Sequence, residues 1–513
     1  MVRLKWHPLP PPIGLAPLFA TAAALLLYVL TSAPSLTWAH DGADGGDLIA
    51  AAMTGGVPHP SGYPTYCLAA RLFALLPLGP VARRFNLFSA CAAAAAVGLL
   101  CHTTQRLLEP GVGCRSWRTA AVALSTALIG ATGPILWSQA LIAEVNALNA
   151  LFFALALYLA LEAPPRPGAA LLTGLALGLG LGNHLTLALA LPGLAVLAWP
   201  RVSRDPRRLG LSLAAGLILG LAVYAYLPLA ARQDPPVNWG NPHTWEGLCW
   251  VVAGRIYQPY LFDVPLRFLP ARLGAWAPLW ADQLTWPGVT LALIGAMTWI
   301  EGGHRREAVG TTLLVAAYSA YAIGYDTADS YVYLIPAYLT TVLWMARGAA
   351  ALAWSAKGWH TSRARWAPAV ILAVLALLPA ISAVRHAPVL SLRHDREAIT
   401  WLDDVASRLP RDALLITQED RHTFALAYAQ WVEGRRQDII VVDADLLAYP
   451  WYRAQLERRH PTLVLPADPL TVPILVGPNL SLRPVFLASE RRDVMTQLTA
   501  TPDGALWRVT GVR

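Results

Sequence analysis

The sequence predicts an all-α polytopic membrane protein that carries a soluble α/β domain at its C-terminal end. Hydrophobic residues make up 56% of the 513-residue chain and charged residues only 14%, whereas a soluble globular protein has roughly 25% charged residues. Many apolar runs reach about 20 residues, the length that a helix needs to cross a bilayer. Near residue 387 these runs stop. We therefore assign 1–386 to a transmembrane domain and 387–513 to a soluble domain.

The apolar runs predict about eleven transmembrane helices. In chain order they are 14–32, 86–105, 118–137, 144–161, 168–183, 185–200, 209–229, 286–301, 308–325, 331–346 and 367–386. The run 64–78 is also apolar, but it is only 15 residues long and contains Arg71. It is too short to span the hydrocarbon, so we predict that it lies along the membrane surface.

The distribution of basic residues predicts the orientation of these helices. With the N-terminus inside, the cytoplasmic segments hold sixteen lysines and arginines when Arg118 at the edge of a span is included, against seven arginines in the longer outer loops before residue 387. Cytoplasmic loops of membrane proteins carry such an excess. We therefore predict an integral protein of a bacterial inner membrane, with its N-terminus in the cytoplasm and its C-terminal domain outside. The same rule accounts for the net charge of +8 without nucleic acid as a partner.

The segment after residue 387 has the pattern of a soluble α/β unit. Charged and apolar residues alternate at helical spacing in SLRHDREAITWLDDVASRL. The short apolar runs ALLIT and DIIVVD then predict buried strands, separated by the helical stretch HTFALAYAQWVEG. This domain either contributes to function, for example by binding the acceptor, or is an accessory without chemistry.

The unusual polar residues fall at one face of the predicted membrane domain. They are Asp44, Asp47, His59, Glu144, Asn183, His184, Trp239, Asp326 and Asp329. Ionisable groups next to the hydrocarbon are costly and usually mark a functional cavity. The collection on one face predicts a site that opens to the outside.

Each of these residues also has a purely structural interpretation. Asp47 is a possible N-cap of the helix that begins DLIAAAM, and Asp326 and Asp329 are possible caps of the tenth span. His184 is a possible hydrogen-bonded turn residue, and Trp239 a possible interface aromatic. The sequence leaves these alternatives open.

Six segments, in order, resemble a membrane family whose usual signature is Asp-Ser-Gly-Glu followed by a helix and His-Pro-Pro-Gly-Tyr-Pro. They are DGGDLIAAAMTGGVPHPSGYPTY, WSQALIAEVNALN, GLGLGNHLT, LPLAARQDPPVNWGNP, DTADSYVYLIPAY and RDALLITQEDRHTFALAYAQWVEGRRQDIIVVD. That family is similar to protein O-mannosyltransferases. The resemblance implies a GT-C fold, a multi-spanning helical bundle with its active site on the non-cytoplasmic side.

The resemblance also implies roles for individual residues. Asp44 matches the acidic residue of the first outer loop, which serves as general base or orients the acceptor, and Asp47 stands where the family often has Glu. His59 and Tyr63 match the second half of the signature. Gly45 and Ser61 depart from it, but neither change removes a titratable group.

The chemistry that the resemblance implies needs a polyprenyl-phosphate sugar as donor and a hydroxyl of a protein or glycan as acceptor. A carboxylate takes the acceptor proton, and cationic groups hold the departing phosphate. Arg232 and Arg255, in outer loops next to spans, are the candidates because Arg grips phosphate bidentately. LPLAAR departs from the family's usual Leu-Pro-Leu-Arg, which puts the placement of Arg232 in doubt.

Cofactor motifs are missing from the sequence. It has neither GxGxxG nor a Walker loop, its five cysteines show no metal spacing, and a divalent metal is not indicated. A Cys67–Cys249 disulfide is one open possibility. A transporter or flippase of a lipid-linked precursor is the alternative function, although such proteins have polar residues at the midplane and often internal repeats, which this chain does not show.

Overall fold

The computed structural model describes residues 14–109, 116–354, 366–467 and 470–513. Segment 1–13, which contributes to the predicted orientation, and Cys114 lie outside the described residues. Cys67 and Cys249 are both free thiols, so no disulfide joins them.

The first part of the chain is a bundle of helices. Its helices are α1 (Leu15–Thr31), α2 (Gly45–Thr54), α3 (Pro64–Phe73), α4 (Val81–Leu108), α5 (Trp117–Thr132), α6 (Pro134–Ala140), α7 (Val145–Glu162), α8 (Pro167–Leu181), α9 (Leu191–Val202), α10 (Pro206–Leu221), α11 (Tyr226–Ala231), α12 (Trp245–Val252), α13 (Leu269–Glu301), α14 (Arg305–Gly324), α15 (Ile335–Trp354) and α16 (Ala367–Leu390). Short 3₁₀ helices connect them at Ala39–Asp44, Leu185–Ala190, Ala222–Ala225, Arg255–Tyr260, Leu266–Phe268 and Ser330–Leu334.

Each of the eleven predicted spans overlaps a helix of this bundle. By length and composition, five helices of the described chain can cross a membrane, or six if a bent pair counts as one span. They are Val81–Leu108, Val145–Glu162, Leu185–Val202, Pro206–Ala231 and Pro368–Leu390, with the pair Trp117–Thr132 and Pro134–Ala140 as the sixth. The structure thus supports an integral membrane protein, and the count of eleven stays a prediction.

One predicted span is bent, and a long helix is broken at the start of another. The axes of α5 and α6 differ by 68°. Thr285, with φ 65° and ψ 159°, breaks α13, just before the predicted span 286–301. The side chain of Gln283, two residues before the break, accepts a hydrogen bond from Ile135 N (3.1 Å). This buried amide therefore caps the first turn of α6.

The segment predicted to lie along the membrane surface forms only the ten-residue helix α3. Tyr66 and Cys67 are buried against the bundle, whereas Leu68 and Leu72 are 45% and 66% exposed. A helix of ten residues rises about 15 Å and does not cross about 30 Å of hydrocarbon.

The C-terminal part contains the predicted α/β unit. Its strands are β1 (Leu414–Thr417), β2 (Ile440–Asp443), β3 (Val485–Leu487), β4 (Leu498–Asp503) and β5 (Leu506–Val512), and its helices are α17 (Glu397–Arg408), α18 (Asp420–Trp431), α19 (Pro450–Arg459), α20 (Val472–Leu480) and α21 (Arg492–Met495). The sheet order is β2-β1-β3-β5-β4, parallel for β2, β1 and β3 and antiparallel at β5. The predicted strands ALLIT and DIIVVD are β1 and β2.

The C-terminal part packs directly on the helical bundle. The apolar core of the bundle continues through Leu402 of α17 and Ala425 of α18, while the sheet has a second core of its own. Helix α18 also approaches α2 so closely that a Cβ at Gly46 would lie 2.3 Å from the Phe424 carbonyl oxygen. Only glycine fits there, because real Cβ atoms do not approach an oxygen so closely. The boundary at 386/387 stays a prediction.

Candidate functional site

The chain between α1 and α3 forms the centre of the candidate site. Asp44 ends a 3₁₀ helix and α2 begins at Gly45, so Asp44 and Asp47 are one turn apart on the same side. Asp47 therefore lies in the first turn of α2 and not at its N-cap. Its carboxylate bonds His59 and Trp239 and caps no backbone group of α2.

Asp47, His59 and Asp44 form a hydrogen-bonded chain. His59 Nδ1 lies 2.8 Å from Asp47 Oδ2 and His59 Nε2 lies 3.4 Å from Asp44 Oδ2. The backbone N of His59 donates to the same Asp47 oxygen at 2.8 Å. The Asp47 side chain is 2% exposed and that of Asp44 37% exposed. Asp47 is thus the buried anchor, and Asp44 is the carboxylate that is open to solvent.

The charges of the chain depend on one another. Burial lowers the pKa of His59, but the carboxylates of Asp44 and Asp47 outweigh it and raise the pKa to about 9, so this imidazole is protonated at neutral pH. Burial raises the pKa of Asp44, the positive His59 opposes the shift, and the neighbouring Asp47 and Asp329 add to it. Asp44 therefore needs the imidazolium to remain ionised.

A cavity of about 510 Å³ opens beside this chain. Asp44, His59, Tyr63, His184 and Asp329, all predicted as site residues, line it. Tyrosines make up much of the remaining wall; they are Tyr257, Tyr260, Tyr321, Tyr325 and Tyr333. Such a volume, with a few convergent polar groups, is typical of a small-molecule site.

His184 lies on another wall of the cavity in a different environment. Its Nδ1 is 2.7 Å from the Thr186 hydroxyl oxygen and also accepts from Thr186 N, and its ring stacks on Tyr63 with centroids 5.9 Å apart. Burial lowers the pKa of His184 to about 4, so the ring is neutral at pH 7. Its turn interpretation is confirmed, because the ring caps the start of Leu185–Ala190.

Glu144 and Asn183 lie behind the cavity wall. The Glu144 carboxylate accepts from Val145 N at 2.5 Å and caps α7, and Asn183 Nδ2 donates to Val145 O at 3.1 Å. Both residues thus fix the start of α7 beside the site, and neither lines the cavity.

Four other predicted residues lie away from the cavity wall. Trp239 stands behind Asp47 and donates its indole N–H to Asp47 Oδ1 at 3.0 Å. Asp326 pairs with Arg272 at 2.7 Å. Arg232 is exposed at the end of α11, and Arg255 is exposed on a turn whose neighbours line the cavity. The sequence analysis grouped all four with the site residues on one face, but a linear pattern does not determine which side chains line the cavity.

Asp420 is a cavity residue that the sequence analysis did not single out. It is the first residue of α18 and brings a carboxylate of the C-terminal part into the cavity wall. Burial, with the nearby Asp44, raises its pKa to about 7. Its position directly after the predicted strand ALLIT was the available signal, because loops at the carboxyl ends of parallel strands commonly carry site residues.

Metal ligation has little support from these groups. In the ranges that the structure describes, no three His, Cys, Asp or Glu side chains are grouped closely enough to hold a metal ion. No lysine or arginine is found among the described residues that line the cavity. The hydrogen-bonding groups that the cavity offers to an anion are therefore the tyrosine hydroxyls and the two histidines.

The fold matches solved structures over almost the whole chain. ArnT from Cupriavidus metallidurans, in a crystal structure bound to undecaprenyl phosphate, aligns with a TM-score of 0.56 and 15% identity, covering 96% of this chain and 97% of that one. Its apo state aligns equally well. Together with the helical bundle and the small sheet, this likeness shows that the chain resembles the GT-C membrane fold.

Comparison of sequences leads to a family within that class. Residues 44–206 match the model of the protein O-mannosyl-transferase TMEM260 N-terminal domain, and residues 398–464 match TMEM260-associated domain 2. The mouse protein O-mannosyl-transferase TMEM260 is 26% identical over 493 residues; the alignment covers 89% of this chain and 66% of that protein. These matches support a GT-C family related to protein O-mannosyltransferases, as the signature beginning at Asp44 predicted.

Proposed function

We propose that this protein is a membrane glycosyltransferase. It transfers a mannose-like sugar from a polyprenyl-phosphate donor to a hydroxyl of a protein or glycan on the outer face of the membrane. The family match supports the transfer, and the ArnT structure with undecaprenyl phosphate supports a lipid-phosphate donor. The observation that carries the proposal is the Asp47–His59–Asp44 chain, which presents one accessible carboxylate to a cavity of about 510 Å³.

Asp44 is the general base in this proposal. Its carboxylate takes the proton of the acceptor hydroxyl as the acceptor oxygen forms a bond to the anomeric carbon. The bond between that carbon and the phosphate oxygen breaks, and its electron pair stays on the phosphate. The attack is in line with the leaving group, so the configuration at the anomeric carbon inverts.

His59 and Asp47 prepare Asp44 for this step. A base has to be ionised before the acceptor arrives, and burial opposes ionisation of Asp44. The imidazolium of His59 compensates, and Asp47 holds that imidazolium in place through Nδ1. The arrangement keeps one negative charge available in an environment that otherwise favours a neutral acid.

The donor phosphate then binds on the other side of the cavity. The Tyr325 and Tyr333 hydroxyls and the neutral His184 ring are available there, and Arg255 lies at the rim on the turn that contains Tyr257. Arg255 is therefore the better of the two predicted phosphate ligands. Arg232, exposed at the end of α11, is the weaker one.

The outer sidedness of the site rests on the distribution of basic residues in the sequence. The short loops at the opposite end of the bundle carry the clusters RVSRDPRR and GGHRRE, which the positive-inside rule places in the cytoplasm. The cavity would then face the outside, where the acceptor hydroxyls and the C-terminal part are found. We place the protein in a bacterial inner membrane on the same ground.

The test is transfer of labelled mannose from undecaprenyl-phosphate mannose by membranes that contain either the natural protein or Asp44→Asn. We expect the change to lower the transfer rate by roughly 10²–10⁴-fold, the usual contribution of a general base. Asp41→Asn is the matched control, because Asp41 lies in the same loop but is exposed and bonds only Tyr331 at 2.6 Å. Labelled glycoproteins and glycolipids from the cells identify the acceptor.

Two results would contradict the proposal. Equal rates for Asp44→Asn and the natural protein would remove Asp44 as the base. If Asp44→Asn abolishes translocation of the lipid carrier in vesicles while sugar transfer is unchanged, the flippase alternative is favoured.

A further inference from the structure

We infer that the C-terminal part positions the catalytic chain, acting through the loop 233–241. Three layers of contact lead from α19 to that loop, from the loop to Asp47, and from Asp47 to His59 and Asp44. Trp239 and Arg459 are the positioning residues. The inference rests on the proposed function only for its kinetic readout.

The first layer fixes one end of the loop to α19. Arg458 grips the Asp234 carboxylate through two nitrogens, at 2.9 and 3.3 Å. The Arg459 side chain, only 22% exposed, donates to Pro236 O at 2.5 Å and to Pro235 O. Burial lowers the pKa of this guanidinium. Two consecutive prolines offer carbonyls but no N–H, so an arginine is well suited to hold them.

The second layer fixes the rest of the loop between α19 and the signature segment. Gln455 Nε2 donates to Asn238 O at 2.5 Å. On the other side, Val57 N donates to Val237 O at 2.8 Å and Trp239 N donates to Val57 O at 3.1 Å. The loop is thus held by α19 on one side and by Val57 on the other, and Val57 lies two residues before His59 in the chain.

The third layer joins the loop to the catalytic chain. Trp239, 8% exposed, donates its indole N–H to Asp47 Oδ1, while Asp47 Oδ2 accepts the two bonds from His59. A buried carboxylate that loses a donor is costly. Trp239 therefore fixes the plane of Asp47, and with it the direction in which His59 points toward Asp44.

The other face of His59 also contacts the C-terminal part. The Phe424 ring of α18 stacks on the imidazole at 5.9 Å between centroids, with planes 11° apart. His59 is therefore enclosed between α18 and the signature segment. Both the donor behind Asp47 and the ring above His59 depend on the C-terminal part being in place.

Trp239→Phe with Trp451→Phe as control is the sharpest kinetic test. The two rings lie 5.9 Å apart in one aromatic cluster, but Trp451 Nε1 has no hydrogen-bond partner among the described residues. Both changes remove the same atoms, and only the first removes a bond to Asp47. We expect kcat to fall roughly tenfold for Trp239→Phe with the donor KM unchanged, because the bond holds a charged group, and to stay within about twofold for Trp451→Phe.

Deuterium exchange of the full-length protein tests the clamp without any activity assay. Arg459→Gln should raise deuterium uptake in peptides that cover 233–241 and 45–60. Arg491→Gln is the control, because Arg491 pairs with Asp445 at 2.7 Å and Asp493 at 3.0 Å inside the C-terminal part and does not contact the loop. It should leave both regions unchanged.

The two measurements separate the possible failures. If Arg459→Gln changes uptake at 45–60 no more than Arg491→Gln does, the positioning role is wrong. The same conclusion follows if Trp239→Phe and Trp451→Phe have equal kcat. If the natural protein transfers no sugar at all, the proposed function fails, and the exchange experiment still decides the positioning role.

Discussion

His59 and His184 line the same cavity on different walls, and their environments give them different protonation states. His59 lies between the carboxylates of Asp44 and Asp47, which raise its pKa to about 9 against the effect of burial. His184 bonds a hydroxyl and stacks on Tyr63, so burial dominates and lowers its pKa to about 4. Burial alone makes a histidine neutral, and only paired carboxylates reverse the effect.

This difference divides the cavity into two walls under the proposed function. The wall of Asp44 and His59 holds an ion pair, which suits transfer of a proton from the acceptor. The wall of His184 and the tyrosines presents neutral hydrogen-bonding groups, which suits a sugar and its phosphate. Each prediction below changes one wall and leaves the other in place.

Among the changes that compare the two walls, the largest effect is expected from His59→Gln. Without the imidazolium, nothing opposes the burial that raises the pKa of Asp44, and less of the base is ionised at pH 7. We expect the transfer rate at pH 7 to fall by roughly 10²-fold, and the acid limb of the pH profile to move to higher pH. His243→Gln, an exposed histidine outside the cavity, is the control, and an unchanged acid limb in His59→Gln would contradict the prediction.

The two histidines should also affect stability in opposite pH ranges. The pKa of His59 is raised above its ordinary 6.5, so its contribution is complete below about pH 6.5 and is lost as the pH rises through about 9. The pKa of His184 is lowered, so its contribution is present above about pH 6.5 and is lost as the pH falls to about 4.

Thermal unfolding of the purified protein in detergent, as a function of pH, measures both contributions. His59→Gln should flatten the alkaline fall in Tm and leave the acid fall, and His184→Gln should do the reverse. An identical effect of both changes across the pH range would show that the walls do not differ.

A smaller effect is expected from His184→Phe. The ring and its stacking on Tyr63 are retained, whereas the nitrogens near Thr186 are lost. One neutral hydrogen bond is worth about 1 kcal/mol, so we expect the donor KM to rise by roughly fivefold with kcat little changed. Measured kcat and KM for undecaprenyl-phosphate mannose decide this, and a loss confined to kcat would place His184 on the proton-transfer wall.

The smallest effect is expected from Asp420→Asn. Burial and the nearby Asp44 leave this carboxylate charged mainly above about pH 7. Where it is charged it disfavours ionisation of Asp44, so its removal should move the acid limb of the transfer rate to lower pH, by a few tenths of a pH unit at most. Glu419→Gln is the matched control, because Glu419 pairs with Arg421 at 2.8 Å and does not line the cavity. A shift to higher pH would contradict the prediction.

Much of this arrangement could be predicted from the sequence. Apolar runs located the helices, and two short apolar runs located β1 and β2, because each pattern follows from what must be buried. The acids and histidines next to the hydrocarbon were grouped on one face, and Asp44, His59, His184 and Asp329 do line one cavity.

The remainder depends on packing that a linear pattern does not contain. Arg232 and Asp326 lie at the right end of the bundle, but the rotation of α11 and the ion pair with Arg272 decide where they point. Trp239 donates to Asp47 Oδ1 from the loop 233–241, which is hydrogen-bonded to α19. Asp420 enters the cavity only because α18 packs on α2, which no local propensity reveals.

The close contact at Gly46, which has no side chain, determines whether the membrane bundle and the C-terminal part can be separated. Since α18 touches the backbone of α2 there, removing the sheet-containing part would expose that backbone and the aromatic side chains next to Asp47 to solvent. Attempts to express the membrane bundle as a minimal unit, or to exchange the outer part between relatives, would have to transplant the partner of that glycine as well.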